Sequence, residues 1–353
     1  MAIPAQLLRG GILGALVLSA VGCTPPAATD GPAKDASADA DTDTDTDTDT
    51  DTDTDTDTDI DTADTGDSGD TGTSTTFAAF VADVDFVEAT DVVATETAVY
   101  AVGFNSAGDA AVVSIEVATG TLTTLFTGAP LLQPSGIALN EAAAELLISD
   151  VAADEGVAGM NGGVYSLPLG GSSVVEIGVS GTVDMPGDVA VGHGGTFLYV
   201  TGFTATGEAA LFTVDGTGAV TAVVTGGDLV DPMAIAVHPD GSMVYLMDSL
   251  AADGQRPAII AYEVPGYIPT IVSTGFNVAF PGGLASSPGG GLLYYSTIGS
   301  PGIVEIVDDG SAMSVLDTAG LLELPAGVAT IAGSVYVAEL SSAGSADLYV
   351  LSY

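Results

Sequence analysis

The chain has 353 residues, with 47 acidic side chains against three Lys and Arg, a formal net charge of −44, one cysteine and no tryptophan. Such a charge repels nucleic acid and anionic lipid headgroups, so neither is expected as a charge-driven partner, and a single cysteine excludes an intramolecular disulfide. Residues 1–76 hold 17 of the acids, all Asp, with Arg9 and Lys34; residues 77–353 hold the other 30 with Arg256 as their sole Lys or Arg. A surface with so few cations tolerates its self-repulsion best where salt or divalent ions screen it, so a saline or calcium-containing exterior is the expected setting.

In chain order, the first segment carries Arg9, an apolar run from Ile12 through Leu13, Leu16, Val17 and Leu18, and then Ser19-Ala20-Val21-Gly22-Cys23. The run is too short to span a bilayer at 1.5 Å per residue and has the layout of a signal peptide, expected at 1–22. Small residues leading directly into the only cysteine resemble a bacterial lipobox. The resemblance implies acylation of Cys23, cleavage before it, and a mature chain that is anchored to a membrane without spanning it. Thr24 stands where Asp would signal inner-membrane retention, so outer-membrane or cell-surface sorting is expected.

From residue 23 to 76 no apolar period is present, and Asp alternates strictly with Thr over 41–59. Period-two alternation ordinarily suggests a strand, but one face here would be all carboxylate and neither face is apolar enough to bury. The segment reads as a disordered tether spanning roughly 40 Å. Its Asp-x-Asp-x-Asp spacing matches the opening of a calcium loop but lacks the turn Gly and closing Glu, so diffuse counterion binding is expected there.

Residues 77–353 contain an internal repeat. Pro-x-x-aliphatic-Ala occurs at 134–138, 186–190, 232–236, 281–285 and 325–329, with a weaker first copy, lacking the Pro, at 90–94. The starts are 44, 52, 46, 49 and 44 residues apart, the length of a four-stranded propeller blade. A second apolar strand follows each start (99–102, 146–148, 198–200, 244–246, 293–295, 335–337), then a third and a fourth (174–179 for the fourth of the second copy), separated by Gly-rich turns. The sixth copy ends at its third strand, and residues 77–84 are available to supply the missing outer one, which closes the ring and removes an open sheet edge. The expected fold is therefore an all-β, six-bladed β-propeller of four-stranded blades over 77–353. The phrases Pro-Ser-Gly-Ile-Ala (134–138), His-Pro-Asp-Gly-Ser-Met-Val-Tyr-Leu (238–246) and Pro-Ala-Gly-Val-Ala (325–329) resemble the NHL, SMP-30/gluconolactonase and TolB-like grouping of such propellers. They specify fold far better than activity.

Catalytic signatures are sparse. Gly-x-Ser-x-Gly, His-Glu-x-x-His and phosphate-loop patterns are absent, and His193 and His238 are expected in turns on the face opposite the usual propeller site. Tyr100, Tyr165, Tyr199, Tyr245, Tyr294 and Tyr336 recur at blade-equivalent positions and read as inter-blade core. Aligning the ends of the second strands gives Gly103, Asp150, Gly202, Asp248, Thr297 and Glu339, with Asp91 and Asp188 near the starts of their blades' first strands. Five carboxylates, Asp150, Asp248, Glu339, Asp91 and Asp188, converging on a channel mouth would suit an oxygen-ligated cation such as calcium. The alternative is that each caps backbone N–H groups of its own loop. The resemblance to metal-dependent lactonases implies a hydrolase as one functional class. A monomeric binding module for a protein, glycan or small ligand is the other, and the one the sequence favours, because a rigid frame of loops needs no catalytic set.

Overall fold

The computed structural model describes residues 76–81, 85–153, 162–179, 181–252, 256–278, 280–298, 302–317, 322–340 and 348–352. The expected signal segment, Cys23 and the tether up to residue 75 lie outside the described residues. In the described residues twenty-four strands form six four-stranded antiparallel sheets. Blade 1 is β2 (Phe86–Ala94), β3 (Ala98–Asn105), β4 (Ala110–Glu116) and β5 (Leu122–Thr127); blade 2 is β6 (Pro134–Asn140), β7 (Glu145–Asp150), β8 (Gly163–Pro168) and β9 (Val175–Glu176). Blade 3 is β10 (Val189–Val191), β11 (Phe197–Phe203), β12 (Ala209–Asp215) and β13 (Val220–Thr225); blade 4 is β14 (Pro232–Val237), β15 (Met243–Ala252), β16 (Arg256–Glu263) and β17 (Ile268–Thr274). Blade 5 is β18 (Leu284–Ser286), β19 (Leu292–Ser296), β20 (Gly302–Val307) and β21 (Met313–Asp317). Blade 6 is β22 (Pro325–Ile331), β23 (Ser334–Glu339) and β24 (Leu348–Ser352), completed on its outer edge by β1 (Thr76–Val81), which pairs antiparallel with β24 from Thr76↔Ser352 to Val81↔Leu348. The N-terminal strand thus closes the ring as the repeat count requires, and Phe80 seals the joint edge-on against Tyr336, ring centres 5.1 Å apart.

The innermost strands touch in the cyclic order β2, β6, β10, β14, β18, β22 and back to β2. Period-two alternation decides where the core lies, because the two faces of each blade belong to two different seams. On β3, for example, Ala101 packs into the cluster shared with blade 6, beside Tyr336 and Ala338, while its neighbour Val102 packs into the cluster shared with blade 2, beside Ile148 and Tyr165. The same division is repeated at the other four seams. Sharp turns between second and third strands use a left-handed Gly, as at Gly108 (φ 79°) and Gly207 (φ 77°), a conformation that a Cβ disfavours. In the first of these turns the Asn105 side chain accepts the backbone N–H groups of Ala107 and Asp109.

Three details differ from the sequence reading. In blades 3 to 6 the Ala of the repeat pairs with a Tyr of the second strand (Ala190↔Tyr199, Ala236↔Tyr245, Ala285↔Tyr294, Ala329↔Tyr336). In blade 1 it is Val93 that pairs with Tyr100, and Gly103 faces Ala89. The first copy therefore begins at Ala89, not Thr90; with no Pro to mark it, the small residue at its end sets the apparent frame one residue late. The equivalent of these tyrosines in blade 2 is Leu147, opposite Ala138, whereas Tyr165 lies one strand further out on β8. The fourth strand of blade 2, expected over 174–179, shrinks to Val175–Glu176.

Candidate functional site

The rim in question is where each first strand begins and each second strand ends. Register confirms the alignment there: Asp150 faces Pro134, Asp248 faces Pro232 and Glu339 faces Pro325. In these three blades the chain arrives from the preceding blade through a Leu-x-x-Pro segment whose Leu is buried: Leu131, Leu229 and Leu322. Proline offers no N–H, and the two residues before it find no backbone acceptor for theirs, so those N–H groups need another partner.

The acid supplies it. Asp150 accepts the backbone N–H groups of Leu132 (2.7 Å) and Gln133 (2.9 Å), and its other oxygen takes those of Ala152 (3.0 Å) and Ala153 (2.8 Å) in the loop that follows. Asp248 accepts Val230 (2.8 Å), Asp231 (2.9 Å) and Leu250 (2.9 Å) in the same way. Glu339 accepts Glu323 (3.0 Å) and Leu324 (2.6 Å) through Oε1, while Oε2 is buried with no partner among the described residues. All three acids are essentially inaccessible to solvent. Burial raises each above the ordinary carboxylate range, and the backbone donors pull it part of the way back.

Blades 1 and 3 solve the same problem with backbone. A Cβ on Gly103 would collide with the Glu88 carbonyl, and one on Gly202 would press on the Val183 side chain and the Asp184 carbonyl. The incoming chain runs directly over these positions, so glycine is required where blades 2, 4 and 6 carry an acid. Blade 5 has Thr297, buried, with its hydroxyl unpartnered among the described residues.

Asp91 and Asp188 sit elsewhere, on the wall of the central channel, a cavity of about 280 Å³ lined by the innermost strands. Asp91 accepts the Ile137 N–H of blade 2 (2.7 Å), and Asp188 accepts the Ile235 N–H of blade 4 (2.8 Å) and its own neighbour's, Val189 (2.7 Å). Each satisfies the free inner edge of the next blade. Among the described residues no three His, Cys, Asp or Glu side chains are arranged to hold a metal ion. The five carboxylates thus divide into three on the rim and two in the channel, each engaged with main-chain donors.

His193 and His238 lie in the turns between first and second strands. His193 Nδ1 bonds the Pro239 carbonyl across the seam of blades 3 and 4 (2.9 Å), and His238 Nδ1 pairs with Asp240 (2.5 Å) in its own turn. The signal missed in the sequence was the Leu-x-x-Pro segment: a buried Leu, two residues whose N–H groups lack strand partners, and an acid toward the end of the blade's second strand.

Sequence comparison finds no matching family model and no matching curated protein. Solved structures do match. A chain of a nidogen–laminin complex aligns with TM-score 0.53 at 15% identity, over 78% of this chain and 92% of that one. TolB from Acinetobacter baumannii gives 0.53 and 15%, over 66% of this chain and 55% of its own. An auxiliary nutrient binding protein from Bacteroides thetaiotaomicron gives 0.55 and 15%, over 76% and 70%. At this identity the likeness establishes the fold: the chain is a six-bladed β-propeller whose structural neighbours include TolB. Among the described residues no helix is long and apolar enough to cross a membrane.

Proposed function

We propose that the chain is an extracytoplasmic binding module, a propeller held to a membrane by lipid on Cys23 through the acidic tether, with its ligand received by loops at the rim. The observation that carries the reading is the engagement of the rim acids: Asp150, Asp248 and Glu339 fasten the loops between blades and leave a braced frame rather than an open set of ligands or bases. The neighbours lend support, one being described as a nutrient binding protein and another seen in a complex of two proteins. Binding modules of this type act through shape and loop chemistry on a rigid scaffold.

Photo-crosslinking on intact cells tests the recognition. A probe at exposed Leu132 on the rim is expected to give a discrete adduct, and one at exposed Ile268 on the outer strand of blade 4 is not. Calcium-dependent turnover of lactones or aryl esters that disappears in Asp248→Ala would overturn the reading in favour of a hydrolase. The anchor is tested separately, since Cys23→Ser is expected to move the chain from the membrane to the soluble fraction without altering its unfolding.

A further inference from the structure

Register puts Asp91 opposite Val102, two residues before Val93, and Asp188 two residues before Ala190. The two acids therefore occupy one level of the ring, where the other four blades place Gly136, Ala234, Gly283 and Gly327. Both flank the Gly136–Ile137 peptide of blade 2. Asp91 Oδ2 takes the Ile137 N–H, and Asp188 Oδ1 lies so close to Gly136 that a Cβ there would collide with it. On their far sides Asp91 Oδ1 lies against Gly327 of blade 6 in the same manner, and Asp188 Oδ2 takes the Ile235 N–H of blade 4. The two side chains thus bond blade 1 to blade 2 and blade 3 to blade 4, and lie close against blades 6 and 2.

Among the described residues no cation faces them. The remaining channel lining is aliphatic, Gly, Ser286 and Thr330, and Arg256 opens β16, a third strand with an exposed side chain. Titratable groups on the strands packed against them turn elsewhere: Asp150 and Glu339 to their loops, Glu145 to Asn140, Tyr199 to Tyr267 and Tyr336 to Phe80. Two like charges that share one peptide in a confined space need a counter-charge, and a proton is the one that requires no coordination shell.

We propose that the Asp91–Asp188 pair is a proton-operated latch of the propeller ring: with a proton on the pair the side chains hold the seams closed, and when both are ionised their repulsion across the Gly136–Ile137 peptide loosens blades 1 and 3. Electrostatics agrees in direction. Burial pushes the Asp91 carboxyl up to about 7, and burial followed by the Asp91 charge pushes Asp188 well above its ordinary range, against the pull of the backbone donors. Both groups bind protons more tightly in the folded chain, so their stabilisation is complete below the ordinary Asp range; the Asp91 share is lost as pH rises through about 7, and the Asp188 share as pH rises through its own raised value.

The test is thermal unfolding of the full chain between pH 5 and 8.5 at fixed high ionic strength, which screens exposed surface charge more than the pair inside the channel. The midpoint is expected to fall by roughly 5 °C or more over that range, and Asp91→Asn or Asp188→Asn to remove most of the fall. An Asn amide sets a donor against backbone N–H groups and costs stability by itself, so a second readout uses the unmodified chain. Hydrogen-exchange protection of the Ile137 and Ile235 amides is expected to drop over the same range while that of Ile259, mid-blade on β16, holds. A flat midpoint, an equal fall in the variants, or unchanged protection overturns the latch. So does a saturable recovery at pH 8 with potassium or calcium at constant ionic strength, which would make the counter-charge a metal ion.

Discussion

Replacing Asp150 separates the two roles open to a rim acid. Asp150→Ala removes the acceptor of four backbone N–H groups, those of Leu132, Gln133, Ala152 and Ala153. A buried donor left unsatisfied costs about 1–3 kcal/mol. Two of the four are in the part-buried incoming loop, where water replaces the carboxylate, and burial of the charge is relieved at the same time. The net loss expected is therefore about 3 kcal/mol, and Asp150→Asn, which keeps one oxygen acceptor, is expected to recover about half of it. The assay is urea unfolding in EDTA with linear extrapolation, where a shift in midpoint at constant slope reports stability. A cation ligand behaves oppositely, since without metal its removal relieves repulsion and stabilises. An Asp150→Ala chain as stable as the parent in EDTA would refute the capping argument.

Gly103→Ala is expected to be severely destabilising, because its Cβ meets the Glu88 carbonyl of the incoming chain, whereas Gly108→Ala, with open space around a left-handed backbone, is expected to cost about 1 kcal/mol; paired urea curves compare them. Removing residues before 85 deletes β1, exposes the edge of β24 and strips Phe80 from Tyr336. Such a chain is expected to unfold at lower temperature and to self-associate through the bare edge, read by light scattering. Titrating calcium into the EDTA-treated chain at fixed ionic strength is expected to leave the melting temperature unchanged, as acids already engaged with N–H groups offer few free lone pairs; a saturable rise lost in Asp248→Ala would refute this.

The propeller was legible because its signal is repeated. Six copies of a first-strand pattern at blade spacing overrule the ambiguity of any single apolar run, and the missing outer strand of the last copy points to residues 77–84, where β1 is found at Thr76–Val81. The frame of the first copy was misplaced for the corresponding reason: Ala89 stands where later blades have Pro, and only pairing with β3 fixes its position. Sequence spacing puts Tyr165 beside the second-strand tyrosines, whereas β8 holds it one strand outward.

The rim was half legible. Alignment located Asp150, Asp248 and Glu339 at equivalent positions, but their partners in the incoming chain lie 15 to 18 residues back and belong to loops with no regular pattern. Asp91 and Asp188 looked like members of the same set, yet they face inward and bond to other blades, 46 and 47 residues away. Strand alternation and repeat length, both local properties of the chain, determined the blades, their number and the closing strand. What each carboxylate does was decided only when the ring closed, because hydrogen-bond donors and like charges act over a few ångströms in space, whatever their separation in sequence.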